Sequence, residues 1–299
     1  MLNILRYRWL SAIASITILA SAAVLMVYRL QTVGHAFTYS VDFTGGTQVL
    51  LGFDEDISAE QIAQALSQEW PNAVIRTFGE KEHLIRVKKF SNDPQGLSAR
   101  MVQALNAAYP DQSITVLENE AVGPGVGETL RYKSIMAVLL ALGAMLLYIA
   151  VRFWSIGFAA GAVLALFHDA LIMLACFMLA GREISISVIA AILAVLGYSI
   201  NDTIVIFSQI RENLNTSKRE SIYDIVNKSL NQTMRRTLLT SISTGLVVVS
   251  MLVLGGEALR SFSFALLIGI IFGTYSSIFI ASPVIMLFYK NRKASPHGA

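Results

Sequence analysis

Charged residues are scarce in this 299-residue sequence. Asp, Glu, Lys and Arg make up only 14% of it, whereas hydrophobic residues make up 55% and the mean hydropathy is +0.59. Soluble domains have a charged fraction of about one quarter, so this composition excludes an ordinary soluble domain. It predicts a polytopic α-helical membrane protein.

Cysteine and histidine are also rare. The single cysteine, Cys176, lies in an apolar run, so the sequence predicts neither a disulfide framework nor a cysteine metal site. The four histidines, at His35, His83, His168 and His297, are scattered along the chain, and no metal site is predicted from them. The basic residues follow membrane topology, which argues against nucleic-acid binding.

Six long apolar runs dominate the sequence. Each is long enough to cross the ~30 Å hydrocarbon core of a bilayer as a helix. They are Trp9–Tyr28, Ser134–Val151, Ile156–Ala180, Ile184–Phe207, Thr237–Leu254 and Phe262–Tyr289. The first run contains a sequence resembling a signal-peptidase site, Ala20-Ser21-Ala22, but continues past it, which favours an uncleaved anchor.

Basic residues predict the topology. With the N-terminus in the cytoplasm, the inward segments carry Arg6, Arg8, Arg152, Arg211, Lys218, Arg219, Lys228, Arg235, Lys290, Arg292 and Lys293. The short outward turns hold only Arg182 and Arg260. The positive-inside rule therefore places both termini in the cytoplasm and residues 31–130 outside the cytoplasm.

The region between the first two spans has the pattern of a separate domain. His35–Leu130 holds 13 acidic and 6 basic residues, so it is acidic on an otherwise basic chain. Strand-like runs at Phe37–Phe53, Ala73–Phe78, Leu84–Lys88 and Ser113–Asn119 alternate with helix-like runs from Ser58 and over Gln95–Ala108, and Gly79–Glu82 is predicted to be a hairpin turn. This order predicts an α+β ferredoxin-like domain, a fold that supports many functions.

The predicted organisation has four parts. Residues 1–30 form an N-terminal tail and the first helix, 31–130 the extracytoplasmic domain, 131–290 helices two to six, and 291–299 a cytoplasmic tail. Two glycine clusters, Asp42–Thr47 and Val122–Gly127, flank the domain. The second lacks the Lys-Ser/Thr of a phosphate loop, so tight turns close to the membrane are favoured over nucleotide binding.

Asp202 is the most informative residue, since it lies inside the fourth apolar run. A carboxylate at the centre of a membrane helix costs roughly 2.5 to 3.5 kcal/mol, so such an acid is a candidate functional site. Tyr198 is one helical turn away and Asn201 is adjacent. Together they predict a polar site within the fourth span.

The fifth span offers a partner for this acid. Arg236, Thr237, Thr240, Ser241 and Thr244 form a polar stripe, and Arg236 enters from the same side of the membrane as Asp202. We predict that Asp202 and Arg236 meet, with Tyr198, Asn201 and Thr240 in the same proton pathway. A static ion pair for Asp202 and an interfacial position for Arg236 remain alternatives.

The third and sixth spans add two further patterns. His168 and Asp169 lie near the middle of the third span, where they serve either as a proton relay or as a hydrogen bond that positions a helix. Small residues recur every four positions, at Gly157, Gly161 and Ala165 in the third span and at Gly269, Gly273, Ser277 and Ala281 in the sixth. Such stripes predict close helix packing.

Several motifs resemble the SecF members of the SecD/SecF family, in the resistance-nodulation-division (RND) superfamily, along essentially the whole chain. They are Asp42-Phe43-Thr44-Gly45-Gly46, Val122-Gly123-Pro124-Gly125-Val126-Gly127, His168-Asp169, Gly197–Val205, Arg211-Glu212-Asn213 and Arg236–Ser241. In these motifs Asp202 and Arg236 match the family's proton-pathway acid and its arginine. One departure is visible, because Ser208-Gln209 replaces the usual Asp-Arg.

The resemblance implies an RND-type membrane half in residues 131–290, in the bacterial inner membrane, with the ferredoxin-like domain of residues 31–130 in the periplasm. Such a subunit pairs with SecD as a heterodimer, acts at the SecYEG channel with YajC as a further partner, and uses the proton motive force to move preproteins outward. Protons are then the coupling ion, with no other cofactor and no enzyme activity. The family motif positions are Asp42, Gly45, Gly46, Gly123, Pro124 and Gly127.

Three other functions are compatible with parts of this pattern. Half of an RND-type exporter of lipids or small molecules would share the membrane half, but such exporters usually carry two large outer domains. An intramembrane aspartyl protease would use Asp169 and Asp202, yet Asp202 lacks a Gly-x-Gly-Asp context. A non-transporting assembly scaffold is the third alternative.

Overall fold

The computed structural model describes residues 1–78, 81–88, 91, 93–123, 125–217 and 220–289. They form two compact units, Tyr39–Ile135 and a membrane unit that combines Met1–Thr38 with the chain from Met136 onward. Parts of the sequence prediction lie outside the described residues: Gly79 and Glu80 of the hairpin turn, Pro124 of the second glycine cluster, and the tail at 291–299.

The first apolar helix, α1, spans Arg8–Thr32. The unit that follows begins with one helical turn, α2 (Val41–Thr44), and strand β1 (Gly46–Phe53). The prediction of a strand from Phe37 is therefore wrong, since the strand begins only at Gly46. Gly45 and Gly46 have φ angles of 71° and 114°, and these left-handed conformations, which glycine adopts readily, direct the chain from the helical turn into the strand.

The other elements of this unit follow in the predicted order. They are α3 (Ala59–Leu66), β2 (Val74–Phe78), β3 (Glu82–Val87), α4 (Pro94–Ala108) and β4 (Ile114–Val122). The strands form one antiparallel sheet in the order β2-β3-β1-β4. This is the arrangement of the split βαβ fold.

Local sequence and core packing explain this unit. Helix α3 begins at the predicted point because Ser58 and Gln61 form a capping box, with reciprocal hydrogen bonds of 3.3 and 3.0 Å. Inward side chains of the sheet, such as Val49 and Ile85, pack against Met101 and other apolar residues of the two helices. The sheet therefore has one face in the core.

Six helices in the described chain are long and apolar enough to cross a membrane, as predicted. After α1 they are α5 (Val126–Phe153), α6 (Ile156–Leu179), α7 (Ile186–Thr216), α8 (Ile222–Leu254) and a composite sixth span. The sixth span consists of α9 (Gly256–Ser276), a π-helical turn at Ser277–Ala281 and α10 (Ser282–Phe288).

Helices α7 and α8 extend well beyond their apolar runs. Ser221 caps α8 by accepting a hydrogen bond from the Asp224 backbone N–H at 3.2 Å. Asn213 Nδ2 donates to Ser229 Oγ at 2.8 Å and to Gln232 Oε1 at 2.7 Å, joining the two extensions. Hydropathy could not predict these turns because polar contacts stabilise them.

The predicted close packing along the small-residue stripes is confirmed. A Cβ atom added at Gly161 would lie 2.8 Å from the Ala281 carbonyl oxygen, and one at Gly273 would lie 2.9 Å from the Ser199 Cβ. Both distances are too short for a side chain. Glycine therefore allows the sixth span to pack directly against α6 and α7.

Candidate functional site

Asp202 lies at the meeting point of three helices and is only 3% exposed. Its Oδ2 atom accepts hydrogen bonds of 3.4 Å from Ser241 Oγ on α8 and from Thr274 Oγ1 on α9. The two hydroxyls are 2.6 Å apart and bond to each other. The acid thus sits in a small hydroxyl cluster inside the apolar bundle.

Arg236 does not form the predicted direct contact with Asp202. It is exposed, and within the described chain it forms no ion pair, although it is near enough to attract the Asp202 charge by Coulombic interaction. The reason is helical geometry. Arg236 precedes Ser241 by five residues, which places it about 140° around α8 from the side chain that reaches Asp202.

The other residues predicted for the proton pathway are not gathered on Asp202. Tyr198 donates to Thr244 Oγ1 at 3.4 Å, whereas Asn201 is exposed. Thr240 bonds to carbonyl oxygens of its own helix, at Arg236 and Thr237. Hydrogen bonds from threonine to a carbonyl one turn earlier are common in helices. Within the polar stripe of α8, Ser241 therefore bonds to Asp202, whereas Thr240 bonds to the backbone of its own helix.

His168 and Asp169 form a second buried cluster. Asp169 is fully buried, and its Oδ2 atom accepts from Ser199 Oγ at 2.6 Å and Ser276 Oγ at 2.9 Å. His168 Nδ1 lies 3.2 Å from Asp169 Oδ1, and its Nε2 lies 3.0 Å from Ser15 Oγ. The cluster links α1, α6, α7 and α9, and both carboxylate oxygens of Asp169 have a polar partner.

The sixth span supplies hydroxyls to both acids, which the sequence prediction missed. Thr274 reaches Asp202, Ser276 reaches Asp169, and Ser277 bonds to Thr203 at 2.8 Å. The available signal was the run of four hydroxyl-bearing residues, Thr274–Ser277, that follows Gly273. In the described chain no group of three His, Cys, Asp or Glu residues could hold a metal ion.

The two glycine clusters pack against each other within the small unit. Gly45 lies near the carbonyl oxygens of Val122 and Gly123, and a Cβ at Gly127 would be 2.8 Å from the Phe43 carbonyl carbon. Asp42 Oδ2 accepts from Ser40 Oγ at 3.0 Å. The motif glycines therefore allow two chain segments to touch.

The same unit contains two groups with shifted pKa values. Burial raises the pKa of Glu120, and the neighbouring Glu118 and Asp42 carboxylates raise it further, although Gln48 donates to it at 2.7 Å. Burial lowers the pKa of His83, whose ring packs edge-on against Phe53. In the folded unit, the charged form of each side chain is therefore disfavoured relative to its neutral form.

Two family models match the chain. Residues 101–291 match "Protein export membrane protein SecD/SecF, C-terminal" and residues 33–57 match "SecD/SecF GG Motif". The first covers more than half of the chain and includes both intramembrane acids, and the second includes Gly45 and Gly46.

Similar proteins carry consistent names. The protein translocase subunit SecF of Calditerrivibrio nitroreducens is 42% identical over 258 residues, which cover 85% of this chain and 84% of the relative. That of Pseudomonas aeruginosa is 38% identical over 270 residues, or 88% of this chain and 87% of the relative. These alignments include both compact units.

A fused relative is longer. The protein translocase subunit SecDF of Thermus thermophilus is 39% identical over 267 residues, which cover 86% of this chain but only 35% of the relative. The crystal structure of SecDF, described as a translocon-associated membrane protein from Thermus, matches with a TM-score of 0.84 and 36% identity over 97% of this chain and 39% of that chain. A second form, super-membrane-facing SecDF, matches with a TM-score of 0.69.

Proposed function

Because the chain belongs to the SecD/SecF family of protein-export membrane proteins, we infer that it is an auxiliary subunit of Sec protein export, and we propose that it draws on the proton motive force. Its relatives are named as translocase subunits, and an accessory transport role requires no enzyme activity of its own. Protons are the proposed coupling ion.

Asp202 carries this proposal. A carboxylate in an apolar span is costly to maintain, and intramembrane acids mark proton relays. The hydroxyls of Ser241 and Thr274 can donate to the carboxylate and can also accept from the protonated acid. The cluster can therefore satisfy both protonation states of Asp202.

Arg236 acts on this acid from a distance. The Arg236 guanidinium is exposed and forms no ion pair within the described chain, so its proposed action on Asp202 is through its charge. Each proton that crosses a potential of 100 mV releases about 2.3 kcal/mol. This energy is sufficient to shift a conformational equilibrium of the protein appreciably.

A SecD-type partner is proposed from the likeness to SecDF. This chain aligns with about two fifths of the solved SecDF chain and with most of the length of relatives named SecF, which supports pairing with a SecD-type subunit. RND-type transporters are built from two such halves. We further place the protein in the bacterial inner membrane with both termini cytoplasmic, acting on preproteins at SecYEG with YajC as an additional partner.

The proposal is tested with Asp202→Asn in inner-membrane vesicles that contain the partner subunits. Preprotein export that depends on the membrane potential should fall to the level seen without a potential, while insertion and partner binding persist. Glu128→Gln, an exposed acid in the first turn of α5, is the matched control and should retain full export.

Full potential-dependent export by Asp202→Asn would refute the proton role. If preprotein export were intact in Asp202→Asn but efflux of a lipid or small molecule were lost, the protein would instead be half of an RND-type exporter.

A further inference from the structure

A groove of about 690 Å³ lies in the membrane unit between α1, α6 and the sixth span. Its walls are almost entirely apolar, with Leu19, Phe167 and Leu287 among the lining side chains. Arg8 and Trp9 line it at the first turn of α1, and Ser15 and His168 line it deeper in the bundle. The groove therefore has a cationic end and a long apolar body.

The length of the groove matches one leaflet of a bilayer. Its lining on α1 extends from Arg8 to Leu19, and eleven residues of α-helix rise about 16 Å. Half of the ~30 Å hydrocarbon core is about 15 Å. The apolar body thus reaches from the membrane surface to the midplane, the depth of one phospholipid acyl chain.

The charge at the groove end fits an anion. The Arg8 guanidinium lies 5.7 Å from the Trp9 ring centre and 5.6 Å from that of Tyr223, and these ring contacts leave its N–H donors available. Within the described chain no carboxylate pairs with Arg8, and no acidic residue lines the groove. Arg6, two residues earlier and exposed, adds a second positive charge.

A neighbouring groove provides an internal comparison. It is larger, about 910 Å³, and shares Leu164, Phe167 and Val284 with the first. No charged side chain of the described residues lines it. It can hold acyl chains, but it offers nothing that distinguishes one headgroup from another.

We propose that the Arg8 groove is a binding site for one glycerophospholipid with an anionic headgroup. The phosphate contacts Arg8, and one acyl chain lies along α1 against Phe167 and Leu19. Its terminal part covers the hydrogen-bonded Ser15 and His168 side chains. The proposal does not depend on the proton role of Asp202.

Native mass spectrometry tests the site on the purified full-length protein. The protein is incubated with equal amounts of palmitoyl-oleoyl phosphatidylglycerol and phosphatidylcholine, which have the same chains and differ in headgroup charge. Wild type should retain one phosphatidylglycerol in preference to phosphatidylcholine. Arg8→Gln should lower phosphatidylglycerol affinity about five-fold, the effect expected of one basic side chain at the membrane surface.

Two matched controls isolate the site. Arg29→Gln removes a charge from the last turn of the same helix and should leave lipid retention unchanged. Ala12→Phe fills the groove and should abolish the phosphatidylglycerol preference, whereas Ala160→Phe fills the neighbouring groove and should preserve that preference. Arg8→Lys keeps the charge and should also retain the preference, which covers the case in which Arg8→Gln fails to fold.

Three results would overturn the proposal. Equal retention of the two lipids by wild type would show that the headgroup is not recognised. Equal behaviour of Arg8→Gln and Arg29→Gln would show that recognition lies elsewhere. Displacement of the lipid by glycerol phosphate, which has no acyl chain, would show a phosphate site rather than a lipid site.

Discussion

Ser199 donates a hydrogen bond of 2.6 Å to Asp169 from a position on α7 only three residues before Asp202. The two intramembrane acids therefore depend on the same segment of one helix. Each also receives a hydroxyl from α9, at Ser276 and Thr274. A displacement of α7 relative to the sixth span would alter the hydrogen bonding of both acids together.

Ser199→Ala should destabilise the membrane unit. It removes the shortest hydrogen bond to a buried carboxylate, and we expect a loss of about 1 to 2 kcal/mol in the free energy of unfolding. Thermal denaturation in detergent measures the change. Ser250→Ala is the control, because Ser250 is exposed and bonds only to a carbonyl oxygen of its own helix, and equal stability of the two variants would contradict the prediction.

Gly161→Leu should prevent correct packing of the sixth span. Its side chain would collide with the Ala281 backbone, whereas Gly143 on α5 has no atom within 4 Å of an added Cβ. Gly143→Leu should therefore fold normally. Size-exclusion chromatography of the detergent-solubilised proteins compares their folded fractions, and a well-folded Gly161→Leu protein would disprove the close contact.

Arg236→Lys should keep most of the export activity and Arg236→Ala should lose most of it. Because Arg236 forms no ion pair within the described chain, we expect it to act on Asp202 through its charge alone. A lysine can supply that charge, whereas direct pairing would require the guanidinium. Potential-dependent export measures both variants, with Arg235→Ala as the exposed neighbouring control. Loss of activity in Arg236→Lys would indicate that direct contact forms during transport.

Glu120→Gln should stabilise the small unit at pH 7. Burial and neighbouring carboxylates raise the folded-state pKa of Glu120 above its ordinary value of 4.5, so its contribution to stability is full below pH 4.5 and is lost as the pH rises through the folded pKa. The gain from glutamine should disappear near pH 4. Urea unfolding followed by Trp70 fluorescence measures it, with Asp54→Asn as the exposed control substitution, and equal stability of Glu120→Gln and wild type at pH 7 would contradict the prediction.

The sequence predicted the spans and the acids because their signals are local. Six apolar runs are visible by length, and Asp202 stands out as a charge inside one of them. The hydroxyl partners are less visible because serine and threonine in a span also bond to their own helix, as Ser250 does. Only the packed structure distinguishes Thr274 and Ser276, which reach carboxylates.

Two errors have the same origin. Arg236 was predicted to contact Asp202 from membrane depth and topology, but its position around α8 depends on helix rotation, which depth does not specify. The strand predicted from Phe37 begins at Gly46 because the paired glycines change the backbone direction. In both cases an orientation was inferred from a one-dimensional pattern.

The π-helical turn at Ser277–Ala281 makes the sixth span one residue longer than a regular helix between the same neighbours. Deleting a single residue there could restore an uninterrupted α-helix, whereas the same deletion in α7 would rotate every later side chain by about 100°. The turn also lies just before Pro283, which supplies no backbone N–H. The span therefore has one point at which its rotational register can change without unfolding the rest of the helix.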